Sequence, residues 1–205
     1  MSARKIRVAV LVSGGGTNLQ AIIDTAAAGN MPHVELALVV SNKEGAYALE
    51  RAAKAGIKGV TITRKALGSA EAFEEALVAT LRENEIDLIV LAGFLAILSE
   101  KFTAAYERRI INVHPSLIPA FCGKGYYGLK VHEAALAYGV KVTGATVHFV
   151  NEIPDGGEII LQKAVEIREG DTPEVLQRRV MEEAEWLLLP AAVEKVACDL
   201  IEKGE

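Results

Sequence analysis

Short apolar runs alternate with amphipathic segments over the first part of the chain, and this alternation constrains the fold more than any other feature. The apolar runs predict strands at Ile6–Val12, Val34–Ser41, Gly59–Ile62, Asp87–Ala92 and Arg109–Val113. The amphipathic segments predict helices at Thr17–Ala28, Glu44–Ala55, Ser69–Glu83 and Ser99–Tyr106. Strands that alternate with helices form parallel sheets covered on both faces. We therefore predict a doubly wound, mostly parallel α/β sheet.

The pattern changes after Pro119. Leu129–Tyr138 is expected to be helical, and Val142–Val150 and Glu158–Ile167 predict a hairpin across the turn sequence Pro154-Asp155-Gly156-Gly157. A long helix should follow from Pro173, with Thr172 as its cap and Pro190 kinking or splitting it. The sequence thus predicts one domain over residues 1–205, with an antiparallel hairpin and a long helix at its C-terminal end.

Composition excludes several classes of function. The chain has 205 residues and a net charge of −5, without a block of lysines and arginines, so a nucleic-acid surface is not expected. Apolar runs are too short to span a membrane, and the first meets glycines, as a strand would and a signal peptide would not. Cys122 and Cys198 fit no zinc or redox spacing, and no histidine or carboxylate cluster has metal spacing. We expect a cytoplasmic protein without metal, nucleic-acid or membrane partners.

A glycine loop, Ser13-Gly14-Gly15-Gly16-Thr17-Asn18-Leu19, joins the first strand to the first helix. Glycines let a ligand approach the backbone, and helix N-termini attract phosphate. The Walker pattern is absent because the loop has no lysine. The dinucleotide pattern lacks its third glycine and its acidic residue, although Lys43 leaves an NADP-binding module open. A turn without any ligand is the structural alternative.

The segment Asn112-Val113-His114-Pro115-Ser116-Leu117-Ile118-Pro119 carries the most specific chemistry. Residues i and i+2 of a strand share a face, so Asn112 and His114 should point into one site. Pro115 favours an extended backbone at His114. Ligands of open α/β sheets bind outside the carboxyl ends of strands, where this pair lies.

Asp155 could orient the imidazole of His114, although Pro-Asp-Gly is also ordinary turn chemistry. Ser116 would suggest a hydrolase triad with them, but it lacks the nucleophile-elbow pattern, and no thiol-protease signature surrounds Cys122. Asn, His and Asp without a nucleophile suit direct acyl transfer to an amine. The Asn112 amide and a protonated His114 would stabilise the tetrahedral oxyanion.

The remaining histidines, His33, His132 and His148, are predicted to be structural first. His33 follows a proline in a loop, and His132 is expected on the polar part of a helix. His148 faces one side of a strand and could line a pocket.

These motifs resemble those of the folate-dependent phosphoribosylglycinamide formyltransferases, the glycinamide ribonucleotide transformylases of purine synthesis. The resemblance runs from about Ile6 to Pro190. Its markers are the glycine loop continued by Gln20-Ala21-Ile22, Leu91-Ala92-Gly93-Phe94, Asn112–Pro119, Val147-His148-Phe149-Val150 and Asp155-Gly156-Gly157. It implies a Rossmann-like formyltransferase fold, with a phosphate-binding half over about 1–115 and a folate-binding and C-terminal half over about 116–205.

The resemblance implies transfer of a formyl group from the cosubstrate 10-formyltetrahydrofolate to the amine of 5-phosphoribosylglycinamide in de novo purine (IMP) synthesis. Asn112, His114 and Asp155 would be catalytic, with Asp155 favouring the protonated imidazole. The implied ribonucleotide-binding residues are Gly14, Gly15, Gly16, Thr17, Asn18, Arg109 and Glu185. The implied folate-binding residues are Leu95, Ala96, Ile97, Leu98, Asn112, Val150 and Asp155. A homodimer is compatible with this interpretation.

The chain departs from the family at several positions. The family often has Met-Arg where Leu95-Ala96 stand and an arginine where Ala70 stands. The loop Ala120–Gly128 is longer than the common form, and the helix segment around Glu185 is one residue longer.

Two other functions fit the same motifs. Formyltetrahydrofolate deformylase would hydrolyse the same donor, and a non-catalytic nucleotide- or NADP-binding module would use the glycine loop alone. Methionyl-tRNA formyltransferase is disfavoured because it needs a further basic domain that 205 residues cannot hold.

Overall fold

A computed structural model describes residues 4–204. Its strands are β1 (Ile6–Val12), β2 (Val34–Ser41), β3 (Lys58–Thr61), β4 (Leu88–Leu91), β5 (Ile110–His114), β6 (Val142–Phe149) and β7 (Ile159–Glu166). They form one sheet in the order β3-β2-β1-β4-β5-β6-β7. Strands β1 to β5 are parallel, whereas β6 and β7 run antiparallel to their neighbours.

The helices lie between these strands and at the C-terminal end. They are α1 (Thr17–Ala27), α2 (Tyr47–Lys54), α3 (Arg64–Leu67), α4 (Ala70–Glu83), α5 (Glu100–Ala105), α6 (Leu129–Tyr138), α7 (Pro173–Val180) and α8 (Trp186–Glu202). A π-helical turn, Met181–Glu185, joins α7 to α8. The predicted doubly wound, mostly parallel fold with an antiparallel hairpin and a long C-terminal helix is confirmed.

The alternation along β1 explains why both faces of the sheet are covered. Val8 and Val10 belong to one buried cluster with residues of α1, α2, α7 and α8. Ala9 and Leu11 point the other way, into a cluster with residues of α4 and α5. Both sets are almost fully buried, as expected for a parallel strand between two helical layers.

Local signals set the helix ends. Ser69 caps α4, since its hydroxyl accepts from the Ala72 N–H at 3.0 Å. Thr172 caps α7 in the same way, with Pro173 in the first turn. The second helix begins at Tyr47 and not at Glu44, because Gly45 adopts a left-handed φ of 66°.

The C-terminal helix is interrupted before Pro190, at the π-helical turn, and Pro190 itself lies inside α8. A proline has no N–H for the carbonyl four residues earlier, here Trp186, so the normal helical pattern is disturbed on its N-terminal side. A π-helical turn, with i→i+5 hydrogen bonds, also holds one more residue than an α-helical turn. This matches the additional residue noted around Glu185.

The strand order creates a crevice at the carboxyl edge of the sheet. The chain moves from β1 through β2 to β3 on one side, and then returns to place β4 on the other side of β1. Loops that leave β1 and β4 therefore diverge, and such switch points are where open α/β sheets bind ligands. The glycine loop follows β1, Gly93–Leu98 follows β4, and His114 ends β5, so all three meet at this edge.

The turn between β6 and β7 requires glycine at position 157. A Cβ atom there would lie 1.8 Å from the Phe149 carbonyl oxygen. We expect Gly157→Ala to lower the free energy of unfolding by about 1–3 kcal/mol in urea titrations, because the backbone at residue 157 must move away from the Phe149 carbonyl oxygen. Gly15→Ala is the matched control, since nothing lies within 4 Å of the position that its methyl group would take. Equal effects of the two substitutions would contradict this account.

Candidate active site

Asn112 and His148 face each other across the β5–β6 pair. Asn112 Nδ2 lies 3.2 Å from His148 Nε2, and His148 Nδ1 lies 2.7 Å from the Phe149 carbonyl oxygen. A carbonyl only accepts, so Nδ1 carries a hydrogen, and in that tautomer Nε2 accepts one amide hydrogen of Asn112. The second amide hydrogen can be offered to a ligand.

The His114 ring is fixed from both ends. Its Nε2 donates to the Phe121 carbonyl oxygen over 2.9 Å, and its Nδ1 lies 3.5 Å from Asp155 Oδ2. The side chain is only 6% exposed. One nitrogen is therefore committed to the backbone, and the other faces the carboxylate.

Asp155 lies between two imidazoles. Its Oδ1 is 3.7 Å from His148 Nε2, and its Oδ2 accepts from the Gly123 N–H at 2.8 Å. Burial alone would raise the pKa of Asp155, but the neighbouring imidazole of His148, the charge of His114 and the hydrogen bond from the Gly123 N–H together lower it below the usual range. The carboxylate thus stays ionised beside His114.

The turn interpretation and the catalytic interpretation of Asp155 describe the same geometry. Asp155 has a φ of 57°, a left-handed conformation that aspartate tolerates and that the hairpin turn imposes. The turn carries the side chain back to the end of β5, where it is only 14% exposed. The structure therefore brings Asn112, His114 and Asp155 together.

The glycines of the loop after β1 have different roles. A Cβ on Gly16 would lie 2.6 Å from Ala48 Cβ, and its φ is 72°, so Gly16 is needed for packing against α2. Gly14 and Gly15 have nothing within 4 Å of such an atom. No side chain caps the N-terminus of α1. Open space over uncapped N–H groups, with Thr17 in the first turn, is the arrangement that binds an anion.

Asn18 and Glu185 meet behind this loop. Asn18 Nδ2 donates to Glu185 Oε2 at 2.7 Å, joining residues 167 positions apart. Burial raises the pKa of Glu185, and the Asn18 amide opposes that rise. The resemblance implies that both residues bind the ribonucleotide, and the π-helical turn presents Glu185 to Asn18.

A cavity lies beside Asn112, His148 and Asp155. Among the residues expected to bind folate, Ala96, Ile97, Leu98 and Val150 line it. Leu91, Phe94 and the segment 151–154 complete the lining. Leu95 is 58% exposed next to it, and its N–H donates to Ser13 Oγ at 2.9 Å.

Arg109 is placed apart from this cluster. It directly precedes β5, so it stands at the opposite end of that strand from His114, and its backbone N–H bonds to Tyr106. Its contact with the ribonucleotide stays a prediction.

The histidines expected to be structural first differ in their surroundings. His148 lines the cavity, which is the alternative that its position on a strand face left open, and it lies beside both Asn112 and Asp155. This placement depends on the antiparallel pairing of β5 with β6, which sets His148 opposite Asn112 and which the sequence pattern does not indicate. His132 is predicted on a polar helix face, but it is fully buried, and burial together with the charge of His114 lowers its pKa to about 4.

The alternative nucleophiles are engaged elsewhere. Ser116 is buried, and its hydroxyl donates to the Ala120 carbonyl oxygen at 2.6 Å. Burial and the charge of Asp155 raise the pKa of the Cys122 thiol, which disfavours the reactive thiolate. His33 pairs with Glu194, far along the sequence in α8. Direct transfer without a formyl-enzyme intermediate fits this arrangement best.

Two features are absent from residues 4–204. No group of three or more His, Cys, Asp or Glu side chains there is placed to hold a metal ion. None of the helices within that range is long and apolar enough to cross a membrane.

Comparison with known proteins places this geometry in a family. Residues 6–193 match the family model described as formyl transferase. The chain belongs to the formyl transferase family. It is 44% identical over its whole length to the trifunctional purine biosynthetic protein adenosine-3 of Gallus gallus, of which it spans 20%.

Relatives of similar length bear a more specific name. Phosphoribosylglycinamide formyltransferase of Haemophilus influenzae is 41% identical over 91% of this chain and 85% of its own length. The crystal structure of glycinamide ribonucleotide transformylase 1 from Symbiobacterium toebii superposes with a TM-score of 0.87 at 44% identity. The match covers 94% of this chain and 88% of that structure. The formyltransferase fold inferred from the motifs is therefore confirmed.

The buried Glu185 carboxyl makes stability depend on pH. A raised pKa in the folded state means that its stabilising contribution is complete below the unfolded value of about 4.5 and is lost as pH rises through the folded value. We expect Glu185→Gln, which keeps an acceptor for Asn18, to gain stability relative to the unsubstituted protein as the pH rises from about 4.5 to about 7.5. Urea titrations across that pH range measure the difference in the free energy of unfolding between the two proteins. A difference that is constant with pH would contradict the assignment.

Proposed function

We propose that this formyl transferase moves the formyl group of 10-formyltetrahydrofolate to the amine of 5-phosphoribosylglycinamide, in purine synthesis. The observation that carries the proposal is the position of the Asn112–His114–Asp155 cluster between an anion cradle and a cavity. The cradle suits a ribonucleotide phosphate and the cavity suits a folate ring. The names of the relatives, with the identity over most of the chain, support phosphoribosylglycinamide as the acceptor of the formyl group.

The chemistry is direct transfer of the formyl group, by addition of the amine to the formyl carbon and elimination of the folate nitrogen. The acceptor amine adds to this carbon, and the carbonyl electron pair moves to oxygen. The free amide hydrogen of Asn112 and a hydrogen of His114 stabilise the oxyanion, and one such donor is typically worth about 3 kcal/mol. The intermediate then collapses, the bond to the folate nitrogen breaks, and a proton passes from the former amine to that nitrogen through His114.

We assign Nδ1 as the nitrogen of His114 that exchanges a proton with the substrate. Nε2 is occupied by the Phe121 carbonyl oxygen, so only Nδ1 can exchange a proton near the cavity. Asp155, 3.5 Å away, balances the charge of the imidazolium when it forms. A carboxylate that is itself held ionised can do this without taking the proton.

The remaining substrate contacts are divided between the ribonucleotide and the folate. Gly14, Gly15, Gly16, Thr17 and Asn18 hold the phosphate and ribose, with Glu185 on the amine side and Arg109 as a further contact. Leu95–Leu98 and Val150 hold the folate. One domain over residues 1–205 carries both, in a cytoplasmic enzyme.

Two alternatives use parts of the same site. A deformylase would need water in place of the amine, but it would leave the anion cradle and the buried Asn18–Glu185 pair without a role. A nucleotide- or NADP-binding module would leave the Asn112–His114–Asp155 cluster without a role.

The assay that separates these functions follows tetrahydrofolate release from 10-formyltetrahydrofolate, with and without 5-phosphoribosylglycinamide. Release only with the acceptor is the expected result. Release without it would establish hydrolysis, and no release under either condition would contradict the proposal.

Within this assay, His114→Ala and Asp155→Asn should each lower turnover by roughly 10²–10⁴-fold, because each removes part of the proton-transfer and charge-stabilising unit. His33→Ala is the matched control, since His33 pairs with Glu194 outside the site. Circular dichroism checks that the variants fold. Near-normal turnover of either site variant would refute the assigned roles.

A further inference from the structure

One hydrogen bond crosses the crevice between the carboxyl ends of β1 and β4. The Leu95 N–H donates to Ser13 Oγ at 2.9 Å. Ser13 opens the glycine loop and is only 5% exposed. Leu95 opens the segment whose next three residues, Ala96, Ile97 and Leu98, line the cavity. The bond therefore connects the loop assigned to phosphate with the loop assigned to folate.

The loop after β4 is held at a small number of points. Its start is fixed where the Ala92 N–H donates to the Leu11 carbonyl oxygen at 2.9 Å, and its end where Leu98 is buried. Between them, Leu95 and Ile97 are 58% and 83% exposed. Between these ends, Phe94 packs partly buried against the cluster that includes residues of α4 and α5, and the Leu95 amide adds a hydrogen bond on the side of the glycine loop. The positions of the cavity-lining residues that follow Leu95 thus depend in part on Ser13.

Ser13 is in turn held by the backbone of the glycine loop. The Gly14 carbonyl oxygen accepts from the Ala48 N–H at 3.1 Å, and the Gly15 carbonyl oxygen accepts from Arg51 Nε at 2.8 Å. These bonds hold one side of the loop against α2, while the N–H groups at the start of α1 remain open to an anion. A bound phosphate would restrict the open side and with it the position of the Ser13 hydroxyl.

We propose that Ser13 is a positioning residue that couples the two substrate subsites, so that ribonucleotide bound at the glycine loop tightens folate binding through the Leu95 amide. This rests on the proposed function and adds a specific link to it. The coupling is reciprocal by thermodynamic necessity, so folate must tighten ribonucleotide binding by the same factor. Ser13 touches neither reacting atom.

Equilibrium binding to the 205-residue chain tests the coupling. Tetrahydrofolate carries no formyl group, so it forms a stable ternary complex with 5-phosphoribosylglycinamide without reaction. Calorimetry gives the tetrahydrofolate Kd with and without the ribonucleotide, and their ratio is the coupling factor. We expect a factor above one for the unsubstituted protein, and a decrease of roughly three- to tenfold, or to one, in Ser13→Ala. The ribonucleotide Kd measured alone should stay within about twofold, since the loop bonds to α2 remain.

Two further variants give the measurement its controls. Ser13→Thr keeps the acceptor oxygen and should restore the coupling factor. Thr63→Ala removes a comparable bond, from the Ala66 N–H to a hydroxyl at 3.1 Å, at the start of α3, and should leave the factor unchanged. If Ser13→Ala does not fold, Ser13→Cys provides a poorer acceptor of similar size for the same comparison.

The outcomes separate the inference from the function on which it rests. If the unsubstituted protein binds neither ligand, the proposed function fails. If it binds both but shows no coupling, or if Ser13→Ala retains the full coupling factor, only the inference is overturned. An equal loss in Thr63→Ala would also overturn it.

Discussion

The site depends on one buried charge, the carboxylate of Asp155. A charge that is largely removed from water must be paired or hydrogen-bonded, and here the imidazole of His114 and the Gly123 N–H share that task. The contact with Asp155 also fixes the imidazole of His114, and the hydrogen bond from Gly123 holds the loop after Pro119 next to the site. The β6–β7 turn, which brings Asp155 back to β5, is for this reason part of the proposed catalytic apparatus and not only a connection.

Binding and chemistry are located at two different pairs of neighbouring strands in the sheet. Where the strand order reverses, between β1 and β4, the diverging loops leave an anion cradle and one wall of a cavity. Where the direction reverses, between β5 and β6, two strands present Asn112 and His148 at the same level. The first pair suits binding and the second suits chemistry. The bond from Leu95 to Ser13 lies across the first pair, which is why it can link the two ligands.

Much of this could be predicted from the sequence, and the misses have physical causes. Periodicity locates the strands, and the spacing of Asn112 and His114 places both on one face. Periodicity says nothing of which strands become neighbours, so it underestimates the role of His148, which depends on the β5–β6 register. His132 is misassigned because burial depends on what covers a helix, not on the helix alone. The helix interruption is predicted at Pro190, although the added residue near Glu185 already indicates the turn before it.

The most direct test of the central claim is a crystal structure of the protein with 5-phosphoribosylglycinamide and tetrahydrofolate bound together. We expect the phosphate over Gly14 and Gly15, and the glycyl amine and the folate nitrogen N10 on either side of the Asn112–His114 edge. The amine and N10 should lie close enough for a single carbon to bridge them, roughly 3 Å apart. An amine or a folate ring bound away from that edge, with Asp155 facing solvent, would contradict the claim.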